Sequence, residues 1–275
     1  MFEPAIKWSG SKRSQAEQIL TYIPQDIKTY YEPFCGGCSV LRRLLNSNKN
    51  IDTFICSDIN NDLISLWNKI LNSPNEVIEH YYKLWSELNK DNDYERKKEY
   101  FKEIREKFNR EKNPLDFMFI MRTTTNGMPR YNKIGEFNNS FHVTRNGITP
   151  DKLERIVLEW NEVLNGNNVI FKNCSYEEIK PNKGDFCYLD PPYANTKGMY
   201  YGVINYDNLW NWIRDLKCGY AISFDGISGN EDNTMVIPKD IYDEHKYLKN
   251  GNSSFKRVVG NSNNSMVYES LYIKH

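Results

Sequence analysis

The sequence predicts an α/β protein, a Rossmann-like doubly wound sheet interrupted by a helical and hairpin insertion. Three observations carry that expectation. An apolar run, Phe186-Cys187-Tyr188-Leu189, ends abruptly in Asp190-Pro191-Pro192-Tyr193. A glycine-bearing turn, Cys35-Gly36-Gly37-Cys38, separates a strand-like Tyr30-Tyr31-Glu32-Pro33-Phe34 from a helical pattern beginning at Ser39. About twenty residues later a second apolar run, Ile51 to Cys56, stops at Ser57-Asp58. Strand, glycine turn, helix, strand and acid is the order in which such sheets admit a ligand against the backbone and hold its hydroxyls.

A chain of 275 residues allows one large domain, or a core with an insertion, and an ample apolar interior. With 36 basic and 36 acidic residues the formal charge is zero, so any nucleic-acid surface must arise from local clustering. No secretory leader and no run of membrane-spanning length is apparent, and an intracellular protein is expected. Six cysteines in a chain of this size do not form a disulfide scaffold. Cys56, Cys174, Cys187 and Cys218 sit mostly in apolar runs, where a buried free thiol is the default. Cys35 and Cys38 form a CxxC, which leaves a thioredoxin-like dithiol as an alternative. There is no second CxxC and His80, His142, His245 and His275 show no ligand spacing, so no metal is expected.

In chain order, Lys7-Trp8-Ser9-Gly10-Ser11-Lys12-Arg13 precedes a helical pattern running to about Ile23. It reads either as a capped surface helix with a packed tryptophan or as a ligand-binding start, where Trp8 covers a ligand and Lys12 meets a carboxylate. The strand Ile51 to Cys56 is followed by an insertion from Trp67 to about Asn165 of different composition. Within it, Tyr94 to Lys112 is strongly charged, yet Phe101, Ile104 and Phe108 recur at helical spacing; its basic residues either track phosphates or are simply solvated. Asn126-Gly127 is a strong turn signal. Val169 to Lys172 reads as a strand that leads to Ser175 and Tyr176.

Neither Pro191 nor Pro192 can sit inside a central ladder, because each lacks the amide donor. The chain therefore leaves the sheet there, with Asp190 at the carboxyl end of a strand, where open α/β sheets bind ligands. An exocyclic amine on a nucleobase is a poor nucleophile, since its lone pair is delocalised into the ring. Asp190 offers it a charged acceptor, the Pro191 carbonyl a second one, and Tyr193 a face for stacking. The bland reading of the same residues is an Asp-Pro turn. Beyond them, Asp207 to Leu216 looks helical, and Tyr220 to Phe224 reads as an ordinary core strand with a polar tip at Asp225-Gly226. Residues 228 to 240 read as a turn-rich loop; Ser254 to Val259 and Met266 to Ile273 read as a closing antiparallel pair joined by Gly260 to Ser265.

With these pieces in order, the chain resembles the Dam-type DNA adenine-N6 methyltransferases. The matching stretches are Lys7-Trp8-Ser9-Gly10-Ser11-Lys12, Glu32-Pro33-Phe34-Cys35-Gly36-Gly37, Ser57-Asp58-Ile59-Asn60 and Asp190-Pro191-Pro192-Tyr193. Arg130-Tyr131-Asn132 with Gly135-Glu136-Phe137-Asn138 falls where the family reads DNA. The resemblance implies an S-adenosylmethionine-dependent methyltransferase core at 1–66 and 165–275, with a target-recognition insertion at 67–164. It implies a cofactor held by Lys7, Trp8, Ser9, Gly10 and Lys12, then by Phe34, Cys35, Gly36 and Gly37, and further by Asp58, Ile59, Ser175, Tyr176 and Asp190. Catalysis is implied at Asp190, Pro191, Pro192 and Tyr193, on an adenine flipped from the duplex. DNA contacts are implied for Asn126, Met128, Arg130, Asn132, Asn138, Ser140 and Arg145.

Some positions depart from the family. Cys38 stands where the second motif usually ends in glycine: either Gly37 takes over the tight turn, or the cofactor binds weakly and the dithiol reading gains. Thr125 replaces a wedging aromatic, and Asn139-Ser140-Phe141-His142 replaces Val-Pro-Phe-Gly, so the site, GATC in many relatives, is open. A monomer acting on double-stranded DNA in the cytoplasm of a bacterial or phage-infected cell is implied, with a cognate restriction endonuclease as a further partner. Cytosine-N4 methylation would use the same kind of amine and stands as an alternative beside the dithiol.

Overall fold

The computed structural model describes residues 2–144, 146–193, 204–252 and 266–275. Five strands run parallel: β1 (Asp26–Glu32), β2 (Asn50–Asp58), β3 (Val169–Asn173), β4 (Phe186–Leu189) and β5 (Gly219–Ser228). The two-residue β6 (Glu231–Asp232) folds back on the end of β5. β7 (Glu244–Asn252) and β8 (Met266–Lys274) complete the sheet antiparallel to each other, in the order β3-β2-β1-β4-β5-β8-β7. All four residues of β4 are buried, as a strand covered on both faces requires. The strand order turns back between β1 and β4, so the carboxyl ends of these neighbours open on one crevice.

The helices are α1 (Ala16–Leu20), α2 (Ser39–Leu44), α3 (Asn61–Asn72), α4 (Pro74–Leu88), α5 (Tyr94–Glu111), α6 (Pro114–Thr123), α7 (Pro150–Asn165) and α8 (Tyr206–Asp215). Their starts follow from side-chain oxygens that satisfy the first free amides: Asn60 accepts from Leu63 N, Asp93 from Glu95 N and Arg96 N, Asn113 from Leu115 N. On α5 the buried face is Phe101, Ile104 and Phe108 at the expected spacing. Trp67 of α3 stacks on Phe171 of β3 at 5.3 Å and meets Trp160 of α7 at 4.8 Å. α4 to α6 pack beyond this layer, and one apolar cluster runs from Ile6 and Phe54 through Trp67 and Trp160 to Phe119. A second cluster joins Leu189, Trp210, Phe224 and Ile237.

Several boundaries differ from expectation for local reasons. β1 ends at Glu32 because Pro33 carries no donor, and α1 ends at Leu20 rather than Ile23. The strand expected at Ser254 to Val259, with its connection Gly260 to Ser265, lies outside the described residues; the described partner of β8 is β7. Residues 228 to 240 begin as the β5–β6 hairpin, and Ile237 and Met235 pack on the second cluster. Among the described residues no helix is long and apolar enough to cross a membrane.

Candidate active site

A cavity of about 310 Å³ opens at the carboxyl ends of β1 and β4. It gathers Trp8 to Lys12, the turn after β1, Asp58 and Ile59 after β2, Ser175 and Tyr176 after β3, and Asp190 to Tyr193 after β4. Every cofactor-side residue expected from the sequence lines it except Lys7. That lysine stands instead behind Trp8 against the insertion, where a Cβ added to Gly127 would lie 2.6 Å from its Cγ.

The turn after β1 is built for close approach. Cys35 N donates to Ser57 O at 3.0 Å, tying it to β2, and Trp67 Nε1 donates to Gly36 O at 3.0 Å. Gly36 has φ +46°, and a Cβ there would meet Trp8 Nε1 at 2.9 Å. Gly37 does not take over the family's last glycine. Cys38 adopts the left-handed conformation itself, φ 52°, because its N–H closes the turn on Cys35 O while its carbonyl begins α2. Both thiols are buried, and burial pushes Cys35 up to about 12 and Cys38 well above its ordinary range. A redox dithiol needs an accessible, acidic thiol, so the thioredoxin-like alternative fails here.

Around the cavity, Asp58 accepts from Gly36 N at 3.4 Å and Asn60 N at 2.9 Å, yet burial raises its carboxyl to about 6. The Phe34 and Tyr176 rings lie 5.4 Å apart as an aromatic wall. Ser175 caps its own turn, accepting from Glu177 N at 3.3 Å. Ser9 Oγ, in the lining, is buried without a partner. Beneath the turn, burial pushes Glu32 up to about 8, against the donors Tyr30 Oη at 2.8 Å and Leu41 N at 3.1 Å.

At the other end, Lys12 Nζ donates to Asp190 Oδ1 at 2.9 Å and to Gly10 O at 3.2 Å, and lies 4.9 Å from the Tyr193 ring centre. Tyr193 Oη donates to Asp190 Oδ1 at 3.4 Å. Burial raises Asp190, opposed by Lys12. Burial alone would lower Lys12, but Asp190 and Glu269 outweigh it and hold the ammonium above the ordinary lysine range. Sequence reasoning missed two members of this group. Asp225, read as the polar tip of a core strand, shares the field of Lys12 and Asp190, and Glu269 Oε2 of β8 lies 3.6 Å from Lys12 Nζ. The one signal in the sequence was an acid inside the otherwise uncharged run Met266 to Ile273.

The expected DNA-reading segment forms a looped hairpin bridged at Thr124–Phe141 and Tyr131–Phe137. Asn126 (φ 57°) and Gly127 (φ +63°) are both left-handed, as an Asn-Gly turn favours. Asn126, Arg130 and Ser140 are exposed, and Met128 is half-buried. Asn132 is spent on the hairpin tip: its amide nitrogen donates to Glu136 Oε2, and its oxygen accepts from Ile134 N and Glu136 N. Asn138 turns inward, its Oδ1 buried without a partner. Arg145 lies outside the described residues. Among the described residues no group of three or more His, Cys, Asp or Glu side chains is arranged to hold a metal.

Several known proteins are similar to this chain in sequence. The chain is 31% identical over 219 residues to the Type II methyltransferase M.MjaIII of Methanocaldococcus jannaschii, covering 74% of each. It is 30% identical over 197 residues to a DNA adenine methylase of Vibrio cholerae, covering 69% of this chain and 64% of that one. To the retron Ec67 DNA adenine methylase of Escherichia coli it is 26% identical over 266 residues, covering 93% of this chain and 85% of the relative. The family model for D12 class N6 adenine-specific DNA methyltransferases matches residues 8–213. That span starts at the tryptophan over the glycine turn and runs past the Asp-Pro-Pro-Tyr strand end into α8, and the chain belongs to this D12 class of N6 adenine-specific DNA methyltransferases.

Proposed function

We propose that this DNA adenine-N6 methyltransferase everts its target adenine from double-stranded DNA and seats the amine between Asp190 and Tyr193. The observation that carries the reading is that an amino nitrogen already fits there: Lys12 Nζ is 2.9 Å from Asp190 Oδ1 and 4.9 Å from the Tyr193 ring centre. An adenine N6 would use the same charged acceptor and the same ring, with the Pro191 carbonyl as second acceptor. Asp190 draws electron density toward the nitrogen through the hydrogen it accepts. Tyr193 orients the ring by stacking, and Trp8 and the aromatic wall limit water.

S-adenosylmethionine, which supplies an electrophilic methyl group when bound, suits the residues present. Asp58 offers a carboxylate for ribose hydroxyls, Phe34 and Tyr176 a wall for a purine, and Ser9 an unpartnered hydroxyl. Gly36, without a Cβ, lets the Trp8 ring close against the turn. Within 67–164, Arg130, Asn126, Met128 and Ser140 read the duplex at GATC or a related short site, while Asn132 holds the hairpin tip in shape and Asn138 faces inward. The enzyme acts as a monomer in the cytoplasm, beside a cognate restriction endonuclease. Cytosine-N4 methylation falls away with the adenine specificity of the family.

The test is expression in a methylation-free host followed by direct sequencing of modified bases. The expected result is N6-methyladenine at one short site, absent with Asp190→Ala, which still binds labelled cofactor. Turnover by Asp190→Ala within tenfold of the parent would remove Asp190 from this role.

A further inference from the structure

The amine seat is occupied by the protein's own amine, so a base can use it only if Lys12 moves. The Lys12 side chain is 6% exposed, and a buried ammonium stripped of its partner costs several kcal/mol. Deprotonation offers no way out, since the surrounding carboxylates hold it charged. The ammonium needs a second anionic partner within a short reach. Resting on the assignment of Asp190 and Tyr193 to the target amine, we infer that Glu269 is the seat to which Lys12 withdraws when the adenine arrives.

Independent features of β8 and its neighbours support this. Glu269 Oε2 is buried and has no hydrogen-bond partner, at 3.6 Å from Lys12 Nζ, so it can accept a charge-assisted hydrogen bond from the ammonium as Nζ leaves Asp190. Its other oxygen is anchored, accepting from Asn250 Nδ2 at 2.7 Å, and Asn250 in turn accepts from Ser14 Oγ at 2.7 Å just before α1. One oxygen is fixed and the other waits. Asp225 and Glu269 are also direct partners in the β5–β8 register. Like charges so placed repel and burial raises both carboxyls, an effect that the nearby Lys12 ammonium opposes at each of them. Glu269 and Asp225 both lie beyond the span matched by the family model. Glu269 is thus a positioning residue: it touches neither base nor donor, and acts by clearing Lys12 from Asp190.

The experiment uses the full chain and a duplex with 2-aminopurine at the target adenine of the site identified by sequencing. Glu269→Gln keeps the shape and removes the charge. It is expected to raise KM for DNA about tenfold and to lower the fluorescence of the everted base, with cofactor Kd unchanged. Glu269→Asp, which restores the charge, should recover part of the loss. In a Lys12→Met background, where nothing blocks the seat, the Gln substitution should cause no further loss. Parental KM and fluorescence in Glu269→Gln, or an equal loss in the Lys12→Met background, would overturn the inference. Failure of the underlying assignment looks different: Asp190→Ala would then leave both turnover and the fluorescence of the everted base unchanged, whatever Glu269 does.

Discussion

Glu32 carries its proton into the neutral range, and that single group sets a pH dependence for the turn above it. Its Oε2 accepts from Tyr30 Oη and Leu41 N, but burial dominates and the carboxyl titrates at about 8, against 4.5 when unperturbed. The folded chain therefore holds this proton more tightly than the unfolded one. The resulting stabilisation is full below pH 4.5 and is lost as pH rises through about 8. Asp58 acts in the same sense over a lower window, from 3.8 to about 6. Glu32→Gln cannot ionise, so its stability relative to the parent should rise as pH goes from 5 to 8, by at most about 4 kcal/mol. Urea melts of both proteins across that range read the change directly; parallel curves would mean that Glu32 is ionised throughout. Asp190, Pro191, Pro192 and Tyr193 were legible because a strand ended by prolines can only deliver its last side chain to the crevice. Glu32 was not, since an acid near a strand end gives no hint in sequence that its neighbours will bury it.

At the scale of elements, the hairpin 124–141 and the cofactor-side loops are fastened to each other at two points. Ser9 N donates to Gly127 O at 3.2 Å, next to the Trp8 that covers Gly36 and Gly37. Tyr131 Oη donates to Asp62 Oδ2 at 2.8 Å, and Asn60 Nδ2 donates to Tyr131 Oη at 3.4 Å, two residues after Asp58. With the hairpin as the proposed DNA contact, these short polar links predict coupling between it and the cofactor-side loops, and that coupling must be reciprocal. Gly127→Ala tests it. A Cβ there lies 2.9 Å from the Lys7 carbonyl oxygen at φ +63°, so the turn has to lift from Lys7 to Ser9. The strain of about 1–2 kcal/mol predicts a roughly tenfold loss of duplex affinity. The gain in DNA affinity on adding cofactor should shrink with it, as fluorescence anisotropy with and without cofactor would show. An unchanged cofactor effect would make the two fastenings incidental. The Asn126-Gly127 turn was visible in sequence through its backbone needs, whereas these links join residues 69 to 118 positions apart, as Tyr131 to Asp62 and Gly127 to Ser9 do, and leave no local pattern. β7 escaped for another reason: of Glu244 to Asn250 only Leu248 is buried, so this edge strand shows no alternation to read.

For the molecule as a whole, Trp67 decides whether the insertion is an appendage or part of the core. The change in composition near this residue reads as a boundary in sequence. In the fold it is fully buried, stacks on Phe171, meets Trp160 and donates to Gly36 O, so α3, α7, β3 and the glycine turn all converge on it. Arg122 at the end of α6 bonds the carbonyls of Pro4 and Ala5, which carries the N-terminal segment along with the insertion. A shared apolar cluster with these cross-links predicts one cooperative unfolding transition rather than two. Calorimetry of the parent should give equal calorimetric and van't Hoff enthalpies. Trp67→Phe keeps most of the stacking but loses the hydrogen bond to Gly36 O, for a cost of about 1–2 kcal/mol and weaker cofactor binding. Trp67→Ala opens a cavity at the junction and should cost about 3–5 kcal/mol while keeping a single peak. Two resolved peaks in the parent would separate the insertion from the sheet energetically. A single peak would mean that the helices after Trp67 and the sheet unfold as one unit, so that the proposed DNA-reading hairpin and the crevice at Asp190 are kept or lost together.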